Sequence, residues 1–301
     1  MSVLVIGSIA LDSIRTPLGE ANNILGGSAT YAALAARLWV RVQVVGVVGT
    51  DFPPRYARLL SSRGINGSGL IRIPGKTFRW RGRYNEHHEA ATEFLDLGVF
   101  RDFHPLLSAA LRKVEVAFLG NIHPGLQWDV LRQLTHPKIT ACDSRADWIR
   151  GQRRAFLRLL KKVTMVFLND SEARLLTGVS GLVEATKTLS RLGPEVAIVK
   201  KGEHGVLAAS RDAFFSLPGY PVSRVKDPTG AGDAFAGAAL GFLATQKRLT
   251  WPALCQAVEY GSIVASMVIE SFGPHRLIRT DFKEVLGRQR AFQSLGKSIV
   301  L

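Results

Sequence analysis

The stretch Asp227-Pro228-Thr229-Gly230-Ala231-Gly232-Asp233 sets two carboxylates, a proline and two glycines ahead of a small, apolar run from Ala234 to Phe242. Pro228 cannot sit inside a helix, and Gly230 and Gly232 permit a tight backbone path, so a helix is predicted to start here. The first turn of a helix offers free N–H groups and the positive end of its dipole, which together favour an anion. Glycines there let a phosphate approach the amides. A carboxylate at Asp233 would repel that phosphate unless its task is to take a proton from an attacking hydroxyl. Amides that stabilise a migrating group, with a carboxylate that serves the nucleophile, are the requirements of phosphoryl transfer. An ordinary Gly-rich helix entry would explain Gly-x-Gly-Asp alone, but the longer string, acidic at both ends, is more specific.

The elements that must position this loop alternate between strand and helix. Val3 to Ile9, Val42 to Val48, Val114 to Leu119, Ile139 to Cys142, Val163 to Leu168 and Val196 to Val199 are short apolar runs, as expected of strands buried on both faces. Helical patterns cover Ser28 to Leu38, Phe52 to Arg63 and Trp251 to Ile269. The alternation predicts an α/β protein, a mainly parallel sheet with helices on both sides. Lys76 to Leu97 breaks the rhythm. Its alternating aromatic and basic residues, Phe78 to Tyr84, flank a polar turn and read as a hairpin, either an edge addition or a lid over a pocket. No linker or repeat divides residues 1–301, which are expected to form one unit.

Composition excludes several classes. Of the 301 residues, 47% are hydrophobic and 21% charged, which suits a globular domain. The start lacks the pattern of a secretory signal and no apolar run is long enough to span a bilayer, so a cytoplasmic protein away from the membrane is expected. Cys142 and Cys255 are isolated, and His87 and His88 would face opposite ways on a strand, so no transition-metal site is read. The net charge of +15 would suit a nucleic-acid partner, but the basic residues are scattered rather than clustered, which argues against one.

The Asp227–Asp233 string resembles the C-terminal signature of the ribokinase-like carbohydrate kinases, the phosphofructokinase B (PfkB) family, and the resemblance extends over nearly the whole chain. Gly7-Ser8-Ile9-Ala10-Leu11-Asp12 resembles the family's first strand and its substrate-binding aspartate. Gly26-Gly27 resembles the paired glycines that approach the sugar. Val47-Val48-Gly49-Thr50-Asp51 resembles the following strand and loop. Asn169-Asp170-Ser171-Glu172 matches the Asn-x-x-Glu motif that helps place magnesium and phosphate, although a helix cap at Asp170 or Ser171 would also account for it. Lys200 to Gly205 resembles the strand-turn-strand along the nucleotide, and Ser262 and Ser266 lie on the helix that borders adenine in this family.

The resemblance implies a three-layer α/β/α fold with a small β lid, its elements around residues 13–20 and 70–98. It implies transfer of the γ-phosphate of ATP, with Mg2+, to a hydroxyl of a small sugar-like molecule. Asp233 with Gly230, Ala231 and Gly232 would be catalytic, and Asp12, Gly26, Gly27, Tyr31 and Asn121 would line the acceptor site. Asn169, Lys200, Gly202, Ser262 and Ser266 would meet ATP. Glu172 would act on magnesium through water, and Asp227 would lie beside a monovalent cation, K+, as in some relatives. Asn121, His123 and Asp143, which follow or end strands, would lie near the substrate. Lids that pair would make a homodimer.

Two positions depart from the family pattern. Tyr31 stands where an asparagine contacts the sugar, and a flat ring with one hydroxyl does not replace an amide. A nucleoside, whose base could stack on Tyr31, Trp80 or Tyr84, thereby competes with ribose-like acceptors. Pro228 stands where threonine is common and preserves the turn. A non-catalytic nucleotide-binding regulator is the reading from another class, against which stand both Asp233 and Glu172.

Overall fold

The computed structural model describes residues 1–295. In chain order the strands and helices begin with β1 (Ser2–Ile6), β2 (Ala10–Thr16), β3 (Gly19–Gly26), α1 (Ser28–Ala36), β4 (Arg41–Gly49), α2 (Pro54–Ser62) and β5 (Ile65–Ile73). Then come β6 (Phe78–Tyr84), β7 (Ala90–Asp96), β8 (Val116–Leu119), α3 (Pro124–Leu131), β9 (Ile139–Asp143), α4 (Ala146–Gly151) and α5 (Arg153–Leu160). The chain continues through β10 (Met165–Asn169), α6 (Asp170–Thr177), α7 (Leu182–Arg191), β11 (Val196–Lys200), β12 (Val206–Ala209) and β13 (Phe214–Leu217). It closes with α8 (Ala231–Ala244), α9 (Trp251–Val268), α10 (His275–Arg279) and α11 (Phe282–Leu295).

Nine strands form the main sheet in the order β13-β12-β11-β10-β9-β8-β1-β4-β5. From β11 to β5 every pairing is parallel, and only the β11–β12 and β12–β13 pairings are antiparallel, so β12 alone runs against the rest. The strands are apolar on both faces because both faces are covered. Val3 and Val5 of β1 join a core with α1, α8 and α9, whereas Leu4 and Ile6 join one with α5, α6 and α7. Alternation within one strand thus feeds two helical layers. On the first side α1 and α8 approach closely. A side chain at Gly237 would enter the backbone of Ala32, and one at Gly241 would come within 2.8 Å of the Ala36 oxygen.

A second sheet has four strands in the order β3-β2-β6-β7. β2–β3 and β6–β7 are antiparallel hairpins joined by parallel pairing of β2 with β6. The aromatic-basic hairpin is therefore not alone: residues 10–26 supply its partner. Residues 70–73, expected with the lid, instead belong to β5 on the edge of the main sheet. The first apolar run also divides, β1 ending at Ile6 and β2 starting at Ala10, so Asp12 belongs to the second sheet rather than to the end of β1. Among the described residues no helix is long and apolar enough to cross a membrane.

Candidate active site

Polar residues gather at the carboxyl ends of the parallel strands, the edge where open α/β sheets bind ligands. Asn121 follows β8, Asp143 ends β9, Asn169 ends β10 and Lys200 ends β11. The mouth of α8 faces this row. Its N-cap is Gly230, in the left-handed region at φ 77°, so that Ala231, Gly232 and Asp233 form the first turn. The Lys200 ammonium lies 2.8 Å from where a side chain at Gly232 would begin, so glycine here leaves room for the lysine.

Asp233 is held within a group of charges. Burial of its carboxyl raises its pKa to about 6, and the Lys200 cation and a hydrogen bond from Asp143 oppose the rise. Asp143 is pushed well above the usual carboxylate range by burial and by the Asp233 charge, so it stays protonated and donates in the hydrogen bond to Asp233. Its Oδ1 is buried with no protein partner, as are Asn121 Oδ1 and Ser144 Oγ. Gln127 fixes this edge, because its Nε2 donates to the carbonyls of Leu119, Gly120 and Asp143 at 3.0, 2.9 and 2.9 Å. Glu172 is also raised, mainly by burial, with Lys200 pulling the other way.

The Asn-x-x-Glu segment is a capping box. Asn169 Oδ1 accepts from Glu172 N at 2.8 Å, and Glu172 Oε2 accepts from Asn169 N at 2.8 Å. The cap is therefore Asn169 itself, not Asp170 or Ser171. The box consumes one oxygen of Glu172 and leaves Oε1 for a ligand.

Asp227 is fully buried, its Oδ1 accepting from Thr229 N at 2.9 Å and its Oδ2 from Gly273 N at 2.8 Å. It thus ties the loop to the turn before α10. Beneath the loop lies Tyr31, 1% exposed, with an unpartnered hydroxyl and its ring against Gly230. Above it comes the second sheet, where Tyr84 accepts a hydrogen bond from Thr229 Oγ1 at 3.0 Å.

Asp12 belongs to the same group. It is 4% exposed, and burial lifts its pKa to about 7; the Gly27 N–H lowers it, and Asp227 and Asp233 add to the rise. Its carboxylate fills the space that a side chain at Gly26 would take, while Gly27, the N-cap of α1 at φ 93°, has no room beside the Ser8 carbonyl. The paired glycines therefore admit the carboxylate and the turn into α1. In register with Asp12 is Trp80, and Ile14 is in register with Gly82. Alternation puts Trp80, Gly82 and Tyr84 on the face shared with buried Asp12 and Ile14, and a side chain at Gly82 would enter the Trp80 indole.

Other expected residues lie differently. Gly202 is exposed in open space at φ 57°. Ser262 is half-buried on α9. Ser266 is already engaged: its hydroxyl donates to the Ile263 carbonyl at 2.6 Å and accepts from Arg288 at 2.9 Å. His123 caps α3, its Nδ1 accepting from Gly125 N at 3.0 Å, and its ring meets Trp148. Thr229 and its bond to Tyr84 had no signal in the sequence beyond position in the signature.

Residues 2–281 match the profile described as pfkB family carbohydrate kinase. The chain belongs to the pfkB carbohydrate kinase family. It is similar to the cytidine kinase of Thermococcus kodakarensis, 30% identical over 256 residues that cover 82% of this chain and 89% of that one. It is also similar to the nucleoside kinase of Methanothermobacter thermautotrophicus, 25% identical over 294 residues and 90% of each chain. Among solved structures, the Burkholderia thailandensis nucleoside kinase in complex with inosine superposes with a TM-score of 0.78 at 21% identity, covering 96% of this chain and 98% of that one. A putative ribokinase II from E. coli, in complex with ATP and Mg2+, gives 0.82 at 18% identity, covering 96% and 99%. The fold is ribokinase-like. As a member of the pfkB family the protein is a kinase, a phosphotransferase acting on a hydroxyl group.

Proposed function

We propose that this pfkB-family kinase transfers the γ-phosphate of ATP to a hydroxyl of a nucleoside. The observation that carries the acceptor is the pairing of Asp12 with Trp80 on the buried face of the second sheet. A carboxylate suits the hydroxyls of a ribose, and an indole beside it suits a base, whose stacking on an aromatic side chain contributes about 1–3 kcal/mol. The similarity to a cytidine kinase and to nucleoside kinases supports the same class. A fructokinase from Salmonella typhimurium, 34% identical over 129 residues that cover 43% of this chain and 36% of that one, keeps a plain sugar as the second reading.

In the reaction, Asp233 accepts the proton of the acceptor hydroxyl as that oxygen attacks phosphorus, and the first amides of α8 stabilise the charge on the migrating group. Lys200 keeps Asp233 ionised near neutral pH and faces the same space. Glu172 fits magnesium, through water, because one of its carboxylate oxygens lies outside the capping box. Bound there, the metal would neutralise phosphate charge. Asn169 and the α9 face at Ser262 would border the nucleotide.

Two finer points complete the proposal. A monovalent cation beside Asp227 would show as activity in K+ that is lost in tetramethylammonium. A homodimer would pair the second sheets through β7, on which Phe94 and Leu95 are 48% and 47% exposed, and would show in sedimentation. The deciding experiment is an ATP-consumption screen across nucleosides and sugars. Turnover with a nucleoside at least about tenfold above any free sugar is expected, and a preference for a sugar without a base overturns the acceptor assignment. ATP binding with no acceptor raising hydrolysis would instead mark a non-catalytic regulator.

A further inference from the structure

We infer that Tyr84 is a positioning residue for phosphoryl transfer: its hydroxyl is the point at which the second sheet fixes the loop that carries the anion-binding amides. The inference rests on the kinase reading of the site but not on the acceptor being a nucleoside.

The loop from Asp227 to Gly230 is gripped at successive residues. The Asp227 carboxylate accepts from Thr229 N at 2.9 Å, and the Tyr31 ring supports Gly230 from below. One side chain of the loop, Thr229, reaches the second sheet, donating from Oγ1 to the Tyr84 hydroxyl at 3.0 Å. Thr229 precedes the left-handed Gly230, whose φ of 77° sets the direction in which the N–H groups of Ala231 onward point. A shift at Thr229 is therefore passed directly to the amides. An error of about 1 Å in such a position costs up to about 100-fold in rate.

Tyr84 is itself well anchored. The Trp80 and Tyr84 rings meet in a T-shaped contact at a centroid distance of 6.4 Å, and the Trp80 indole N–H donates to Thr92 Oγ1 at 3.1 Å. Its strand β6 pairs from Phe78 to Arg83 with β2, the strand of Asp12, and Tyr84 itself pairs with Ala90 of β7. The residue placed to grip the acceptor and the residue that holds the phosphoryl loop thus lie on adjacent strands of one sheet. Seating the acceptor against Asp12 and orienting the amides become one event. Burial raises the Tyr84 phenol above its ordinary range, so it stays neutral and can accept the Thr229 bond at working pH.

The test uses Tyr84→Phe, Thr229→Val and the double variant of the full chain, assayed with ATP, Mg2+ and the best acceptor from the screen. Each single variant is expected to lower kcat about tenfold while the acceptor KM stays within about twofold, because the ring and Asp12 remain. The double variant is expected to be no slower than either single one, since all three lack the same bond, and Thr229→Ser restores the rate. Single variants with kcat within twofold of the parent, or a double variant whose loss is the product of the two, would overturn the inference. If Tyr84→Phe fails to fold, the comparison of Thr229→Val with Thr229→Ser decides alone: equal kcat values overturn it. Use of a sugar by the parent enzyme would sink the nucleoside assignment and leave this test intact.

Discussion

The ring of Tyr31 lies directly beneath Gly230, and any side chain at residue 230 would occupy the same space. The helix that carries Asp233 therefore starts on an aromatic floor supplied by α1. This gives the departure at Tyr31 a physical role: the ring supports the loop at Gly230, and its buried hydroxyl has no protein partner, its pKa raised by burial and by the nearby charge of Asp227 and Asp12.

Gly230→Ala is accordingly expected to be harmful twice over. The left-handed φ of 77° costs a non-glycine residue about 1–2 kcal/mol, and the new methyl meets the Tyr31 ring. A lower melting temperature and at least a tenfold fall in kcat should appear together, whereas normal turnover would mean that the loop geometry does not govern catalysis.

Lys200 opposes the burial that raises the pKa of Asp233. Removing the cation as Lys200→Met raises that pKa further, so the acidic limb of the kcat/KM profile should move to higher pH. In the parent enzyme that limb should fall near pH 6, where Asp233 gains a proton. An unmoved limb would show that Lys200 does not act on the base.

Asp12 carries a stability signature. Its pKa is about 7 in the fold against an ordinary 3.8, so the folded state binds more protons between those values. Stability from this group is therefore lost as pH rises through the window. Asp12→Asn should melt several degrees above the parent at pH 8, the gap closing below pH 4, while its acceptor KM rises at least about tenfold. A parent that melts higher than Asp12→Asn at pH 8 would contradict the assigned burial cost.

Trp80→Ala separates base recognition from sugar recognition. Loss of stacking should raise the nucleoside KM about tenfold, in line with a contribution of about 1–3 kcal/mol, with little change for an acceptor that has no base. Equal effects on both acceptors would mean that Trp80 serves the sheet rather than the base.

Much of this site could be read from residues whose preferences are local. Pro228, Gly230 and Gly232 announce the start of α8, and the apolar runs announce β8 to β11, because turn chemistry and burial on both faces need only neighbouring residues. Relations across the chain were less legible. The break between β1 and β2 falls at Gly7–Ile9, where Gly7 and Ser8 interrupt the apolar run for only two residues before Ile9, Ala10 and Leu11 resume it, so Asp12 could not be assigned to the second sheet. The parallel pairing of β2 with β6 has no turn to betray it. Asp143 could be placed at a strand end, but its hydrogen bond to Asp233 depends on the packing of α8 over the sheet. The cap of α6 is Asn169 rather than Asp170 or Ser171 because Asn169 both ends β10 and starts the helix, and a strand pattern hides a cap at its last residue.

The central claim is that Asp233 takes the proton while the first turn of α8 holds the migrating phosphoryl group. Acceptor-dependent turnover of Asp233→Ala, measured beside its melting curve, tests it most directly. The account predicts a normally folded protein whose kcat falls by roughly 100-fold or more. A folded variant with turnover close to the parent's would contradict it.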